Sequence, residues 1–582
     1  MYLAQLKITN FRKLQSVNLE FKPGLNVLVG SNNIGKTAVV DALRSLLSGH
    51  DEPYPRFDCD DIHRSNGVAP AGDIKFQYIF RDLSAEDEAD FLEALKPDGT
   101  GRFEAHINIR YSEADRIGRL RAKRWCGEHE EIGLTADMIE NLRGVYLPPL
   151  RDASQGLKPS RNSKLSRLFQ LLADEEGRDG INEALRKLDD DLKKHEPIIN
   201  AHTAITKRHT TMLGPQLAQA LELGLSGSDF QRLASRLSLL VDEFEIEQNG
   251  LGFNNLIYMA VVLSELARNA EASYRGLIIE EPEAHLHPQL QAVLLDYLET
   301  IQDVEGEKPV QLFVSSHSSN FASIADLNSL ACLVDTGTTV ETFFPRNIQF
   351  ERGKREKLER YLDVTRAELF FARRIIFVEG AAELLLVKVL ADKCDFNLRK
   401  YGVSLISVEG LNFDSFLPLF GERALKIPVA VITDADPEKE SDADGKPLPV
   451  FPAPGDPVKI SPNTASMKEL EDTLVKVFYG LKTFEYDLAL HAANRKTMLA
   501  ALKEMHPHIA SDLEVKVDQM EGDADRARTL FCGMFERKQN NVQKGRFAQE
   551  LAQVIAEGRD IVVPDYIRNA IAHVCQIGDA AQ

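Results

Sequence analysis

LNVLVGSNNIGKT, Leu25–Thr37, is the stretch whose reading decides the fold. Leu25 to Val29 form a run of strand length that is apolar except at Asn26. Gly30 to Thr37, GSNNIGKT, then matches GxxxxGK[ST] in full, and TAVVDALRSLL continues with helical spacing to Leu47. A strand before and a helix after are the context in which this motif holds nucleotide phosphates. Gly30 and Gly35 let the backbone curl, so that amide groups around Asn33 face phosphate oxygens at a helix N-terminus. Lys36 would reach the β- and γ-phosphates, and Thr37 would hold Mg²⁺. The expected ligand is ATP with Mg²⁺.

The second half of such a site lies downstream. LIIEEPE, Leu277–Glu283, is a buried-strand pattern that ends in Glu280 and Glu281. Glu280 would hold Mg²⁺ through water, and Glu281 would orient or deprotonate the attacking water. LFVSSHS, Leu312–Ser318, sets His317 after another apolar strand, within reach of a γ-phosphate. Strands and helices alternate on both sides of these motifs, which implies an α/β layer fold. From about Ser163 to Leu240 the pattern turns helical, with Leu165, Leu168, Leu171 and Leu172 on one face and Ala184, Leu185, Leu188 and Leu192 on another. The expected division is an ATPase domain at 1–160 and 239–348, interrupted by a helical insertion at 161–238, and a second α/β unit at 349–582.

That second unit contains VAVITDADP, Val429–Pro437. On a strand, Asp434 and Asp436 would point to one face and repel unless a positive charge lay between them. IIFVEGAAE places Glu379 at the end of another apolar strand, with Glu383 one helical turn on. ISVEG, Ile406–Gly410, ends a third. Ligands of parallel α/β sheets gather at the carboxyl ends of strands. Carboxylates converging there call for hard divalent cations with oxygen ligands, Mg²⁺, Mn²⁺ or a mixture with Ca²⁺.

Composition sets the outer limits. The 582 residues exceed a single core, and 43% hydrophobic with 27% charged residues is ordinary for a soluble globular protein. A net charge of -20, from 69 Lys+Arg against 89 Asp+Glu, argues against coating nucleic acid by bulk charge but not against a local basic groove. Arg151–Arg167 and Lys354–Arg374 are candidates for that groove, or are solvated helix faces. The six cysteines are scattered with no CxxC pair, which opposes a zinc site and a disulfide framework and fits a reducing cytoplasm. His285 and His287 form HxH without further ligands nearby in sequence. No signal peptide, membrane span or internal repeat is evident.

An early GSNNIGKT after ITNFRKL, an EEPEAHLHP segment and a late SSHS resemble the ABC-type ATPases of the SMC/RecF group. NGLGFNN, Asn249–Asn255, sits where that group carries its signature loop, although only Gly250 and Gly252 keep the glycine character. Glu280 replaces the commoner aspartate. The resemblance implies a homodimer that sandwiches ATP, with the short insertion as a dimerisation element. Strand-EG followed by strand-DxD resembles the Toprim domain, and the two units in one chain resemble the overcoming-lysogenization-defect family of nucleases. That resemblance implies a nuclease site of Glu379, Glu383, Asp434 and Asp436, with Glu485 and Thr483 from TFEYDL and Lys544 from QKGRFAQELA. Glu469 and Glu471 compete for the place of the last acid. The implied function is an ATP-regulated, metal-dependent endonuclease or nickase acting on DNA in anti-phage defence, sometimes beside a helicase-like partner. The alternative is a repair ATPase that binds DNA ends through a Toprim domain that does not cut.

Overall fold

The structure is a computed structural model that describes residues 1–48, 53–64, 70–149, 156–161, 163–224, 229–268, 272–300, 307–441, 447–537, 539 and 541–576. Residues 151–155 and 162 of the basic Arg151–Arg167 stretch lie outside the described residues.

Three sheets carry the functional segments. The first is antiparallel, in the order Leu14–Glu20, Tyr2–Phe11, Ile74–Arg81, Phe103–Ser112 and Leu95–Pro97, with Arg121–Cys126 also on Phe103–Ser112. Its residues alternate: Leu6 and Ile8 are buried while Lys7 and Thr9 face water, as expected of a sheet covered on one side. The second runs Val340–Phe343, Leu330–Asp335, Leu25–Val29, Gln311–Ser315, Tyr274–Glu280 and Leu142–Leu147. All of its pairings are parallel except that of the edge strand Val340–Phe343. Leu25–Val29 is buried at every position, because helices and the first sheet cover both faces. Helix Lys36–Leu47 follows it and buries Val39, Val40, Leu43, Leu46 and Leu47.

The third sheet is parallel throughout, in the order Val403–Ser407, Arg374–Val378, Val429–Thr433, Val475–Tyr479. Strand alternation divides its side chains between two cores. Ile375, Phe377, Val429 and Val431 join the core that also packs the second sheet. Ile376, Val378, Ala430 and Ile432 face the C-terminal helices. The nucleotide-motif unit and the carboxylate unit therefore share one continuous hydrophobic core.

Several expectations need correction. Val475–Tyr479 is a fourth strand of the third sheet, in a region whose sequence pattern is mostly helical. Leu330–Asp335 extends the second sheet, a strand beyond those that the sequence motifs mark. In the insertion, Leu165 and Leu168 pack inward but Leu171 and Leu172 are exposed. Helices Glu175–Leu192 and Glu196–Leu213 bury no residue at all. The basic character of Lys354–Arg374 is largely neutralised internally, with Lys354 and Lys357 on Asp414 and Arg355 on Glu359 and Asp326.

Candidate functional site

The nucleotide motif is built where the central strand of the second sheet meets its helix. Gly35 has φ +118°, and a Cβ there would stand 2.8 Å from Leu14 Cδ2, so only glycine turns the loop into helix Lys36–Leu47 without strain. Asn33 also adopts the left-handed region, at φ 60°. Lys36 Nζ donates to the carbonyls of Gly30 and, at 3.1 Å, Ser31. Burial pulls the Lys36 ammonium down to about 8, against the charges of Glu281 and Glu283. A phosphate would restore its full charge.

The acids of EEPE divide their work. Glu280 ends its strand, buried, and accepts a 2.5 Å hydrogen bond from Tyr146 Oη. Burial raises its carboxyl, and hydrogen bonds from Tyr146 and Thr37 oppose the rise. Glu280 and Thr37 thus meet, as a shared cation would require. Glu281 is the more exposed, at φ 46°, and its Oε1 lies 3.9 Å from His317 Nε2. Burial and the charge of Lys36 lower the His317 imidazole, so it is neutral near pH 7. Glu283 and Tyr146 escaped the sequence reading. Glu283 Oε1 accepts from Ser316 Oγ at 2.7 Å and from the His317 amide at 3.0 Å, which fixes the turn that carries His317. Its place in EEPE was a usable signal; for Tyr146 there was none. Gly252 of the signature-like segment lies against the His285 carbonyl, where a Cβ would approach to 2.6 Å. Asn254 caps this region through Ile246 O. His287 Nδ1 faces the Gln289 amide at 3.5 Å, which gives HxH a local role at the start of helix Pro288–Thr300.

The carboxylates of the second unit collect at the carboxyl edge of the third sheet. Its chain order reverses direction between Arg374–Val378 and Val429–Thr433, and Glu379 and Asp434 are the first residues beyond those two strands. Such a switch point opens a crevice. Glu379 Oε1 accepts from Thr433 Oγ1 at 2.6 Å and from the Asp434 amide at 2.8 Å. Asp434 Oδ1 accepts from the Phe484 amide at 2.8 Å. Glu383 Oε2 accepts from the Gly380 amide at 3.0 Å. Lys544 Nζ lies 2.8 Å from Glu485 Oε2, an ion pair at the N-terminus of helix Lys544–Ala556. The other Glu485 oxygen, Oε1, is buried with no hydrogen-bond partner among the described residues.

One sequence-derived placement changes. The strand stops at Thr433, and Asp436 takes φ 41°, so Asp434 and Asp436 do not share a strand face. Asp434 turns inward while Asp436 stands exposed at the rim, where its charge still bears on Glu379. Thr483 Oγ1 accepts from the Tyr486 amide at 3.4 Å as the N-cap of helix Phe484–Ala489. Glu471 accepts instead from the Val477 amide, and Glu469 is exposed.

The electrostatics are those of crowded acids. Burial, then the neighbouring acids, raises Asp434 well above the usual carboxylate range; the largest contributors among those acids are Glu379 and Glu485. Burial followed by Glu485 and Glu379 raises Glu383, and burial followed by Asp436 raises Glu379. Burial pulls Lys544 down, but Glu485, Asp434 and Glu383 outweigh it and leave it raised. The Lys544 ammonium faces four buried or half-buried carboxylates, and among the described residues one buried Glu485 oxygen has no partner. That donor set, all oxygen and net negative, fits hard divalent cations. Among the described residues no three His, Cys, Asp or Glu side chains, these included, are arranged as they stand to hold a metal ion together.

Beside the cluster, Asp487 Oδ1 accepts from the Leu481 and Lys482 amides and holds the turn that delivers Thr483–Glu485. Burial pushes this carboxyl up to about 7. Its folded value lies above the unfolded value, so ionisation costs stability, and stability falls as pH rises from about 4 to 7. Asp487→Asn keeps the acceptor and is expected to remove that slope; thermal melts at a series of pH values check it. Gly480 makes the closest approach here: a Cβ would lie 1.8 Å from Asp487 Oδ2. Gly480→Ala is expected to cost about 1–3 kcal/mol and to weaken cluster chemistry while nucleotide affinity holds; a denaturant melt and a nucleotide titration check both.

No described helix is long and apolar enough to cross a membrane. Residues 1–117 and 145–322 match the family described as an AAA ATPase domain. Residues 370–436 match the overcoming lysogenization defect protein-like, Toprim domain family. The chain is 23% identical to Endonuclease GajA of Bacillus cereus (strain HuB5-5), with 98% of each covered. It is 24% identical to the OLD nuclease of Thermus scotoductus, over 75% of this chain and 82% of that one. The solved C-terminal region of the Burkholderia pseudomallei OLD protein is 26% identical and covers 36% of this chain and all of that one, at a TM-score of 0.26.

Proposed function

We propose a function from the premise that the chain belongs to the AAA ATPase domain family and carries an overcoming-lysogenization-defect-like Toprim domain: it is an ATP-regulated, divalent-metal-dependent DNA endonuclease. The observation that carries this reading is the crowding of Glu379, Glu383, Asp434 and Glu485 around Lys544 at the switch point of the third sheet. The full-length likeness to a chain named an endonuclease supports it.

In this reading Glu379, Glu383, Asp434 and Glu485 hold Mg²⁺ or Mn²⁺, with Asp436 at the rim. When bound, such cations supply an activated water and charge stabilisation for a phosphodiester. Thr433 and the amides of Asp434 and Phe484 aim the carboxylate oxygens. Lys544 offsets negative charge that develops on phosphate oxygens. Thr483 orders the turn that bears Glu485. Residues 1–160 and 239–348 bind ATP and Mg²⁺ through Gly30–Thr37, Glu280, Glu281 and His317, and regulate cutting by the unit at 349–582. The insertion at 161–238 joins two copies. Leu188, Ile199, Ile205 and Met212, all exposed on its helices, support that part of the reading. Defence against phage in a cytoplasmic setting is the expected role.

The test is supercoiled plasmid with the full chain and Mg²⁺ or Mn²⁺, with and without ATP. Nicked or linear product that disappears in chelator is expected. Retained plasmid binding with no product under any condition would favour the second reading, an ATPase that binds DNA ends beside a non-cutting Toprim domain.

A further inference from the structure

Arg366 belongs to neither motif, yet its side chain is 8% exposed and its guanidinium ties three segments together. It lies in the short turn Arg366–Phe370 between the two units. Nε donates to Ser407 O at 2.9 Å, and Nη1 donates to Tyr361 O at 2.9 Å and to Asp363 Oδ2 at 2.7 Å. Nη2 pairs with Glu409 Oε1 at 2.7 Å. A planar fork with fixed donors can hold four oxygens at once in this way; a lysine cannot.

The clamp acts on the loop behind Glu379. Ser407 Oγ donates to Glu379 O at 3.3 Å, and the Gly410 amide donates to the same oxygen at 2.7 Å. The Glu409 amide donates back to Ser407 Oγ at 3.3 Å. Glu409 sits at φ 52°, a conformation disfavoured for its side chain. The Arg366 contacts on Ser407 and Glu409 therefore hold a strained loop whose amides and hydroxyl grip the Glu379 backbone. On its other side, Arg366–Phe370 packs against helix Ser319–Ile324, which begins two residues after His317. Leu369, Phe370 and Arg373 also line a cleft with Ser31 of the nucleotide loop and with Leu425 and Ile427 of the third-sheet unit.

We propose that Arg366 is a positioning residue for Glu379, which sets its carboxylate for divalent-cation binding from the junction between the two units. The inference rests on the nuclease reading above. Outer partners that orient a ligand typically change metal affinity by about 10–100-fold when removed.

The probe is Mn²⁺ alone, titrated without nucleotide into the full chain and followed by the electron paramagnetic resonance of free Mn²⁺, well below the melting temperature. Arg366→Met is expected to weaken Mn²⁺ binding by at least about 10-fold. The metal concentration for half-maximal plasmid cleavage should rise in parallel, with the saturated rate retained. Arg366→Lys keeps the buried charge but loses the fork; a smaller rise in the same direction is expected, and this variant decides the matter if Arg366→Met does not fold. Wild-type Mn²⁺ affinity in both folded variants, with only a lower melting temperature, overturns the inference and leaves the nuclease reading standing. A wild-type chain that binds no Mn²⁺ overturns both.

Discussion

Asp434→Asn is expected to abolish metal-dependent plasmid cleavage and, in the same protein, to raise thermal stability in chelator. In the proposed reading Asp434 holds the cations, and its loss should lower the rate by at least about 10³-fold, or ~4 kcal/mol of barrier. The stability gain follows from the cost of the native arrangement. Asp434 is pressed by burial and by Glu379 and Glu485, and its carboxyl is raised well above its ordinary range. A carboxyl whose folded value exceeds its unfolded value loses stability as pH climbs above about 4. Asparagine keeps an Oδ1 to accept the Phe484 amide, now made at 2.8 Å, and removes the charge. The variant should therefore melt at nearly the wild-type temperature near pH 4 and above it at pH 7 to 8. Scanning calorimetry with chelator, beside a cleavage assay with Mn²⁺, checks both halves. Equal melting temperatures at all pH values would mean that Asp434 is not crowded by its neighbours. Undiminished cleavage would remove it from the site. A carboxylate set that destabilises its own fold is what a binding site costs.

Lys36→Ala is expected to remove nucleotide binding without removing cutting as such. Its Nζ is buried and held on the carbonyls of Gly30 and Ser31. Those contacts are replaceable by phosphate oxygens, and loss of the ammonium should weaken ATP binding by at least about 100-fold, ~3 kcal/mol. With the ammonium lowered to about 8 before binding, phosphate contact raises it again, so ATP binding to the wild type above pH 8 should take up a proton. Calorimetric titrations in two buffers of different ionisation heat read that uptake directly, and the variant should show none. In the plasmid assay, Lys36→Ala should retain metal-dependent cleavage and lose any response to ATP. If cleavage instead vanished along with that of Asp434→Asn, nucleotide binding would be a requirement for cutting rather than a control on it.

Which parts of this protein could be read in advance follows from the range of the forces involved. GSNNIGKT, LIIEEPE and VITDAD carry their context within a dozen residues, because a strand, a turn and a helix start are local events. The α/β character was legible for the same reason. Val475–Tyr479 was missed because its burial comes from a parallel neighbour some 45 residues away in sequence, Val429–Thr433, and from the C-terminal helices. Its own spacing of Val475, Val477 and Tyr479 fits a strand or a helix end equally well.

Residue identity alone therefore determined the nucleotide loop, the acids at strand ends and the α/β class. Tertiary structure decided which of those acids meet. Strand order sets Glu379 beside Asp434 at a switch point, helix packing brings Lys544 to Glu485 across 59 residues of chain, and the backbone turn at Asp436 takes it off the shared face that a straight strand would have given it. Tertiary structure also revealed the residues that hold the site segments in place: Thr433, Asp487 and Arg366 for the acids and Glu283 for the His317 turn. Thr433 and Arg366 donate, Glu283 and Asp487 accept, and a single sequence records one partner of a hydrogen bond without the other.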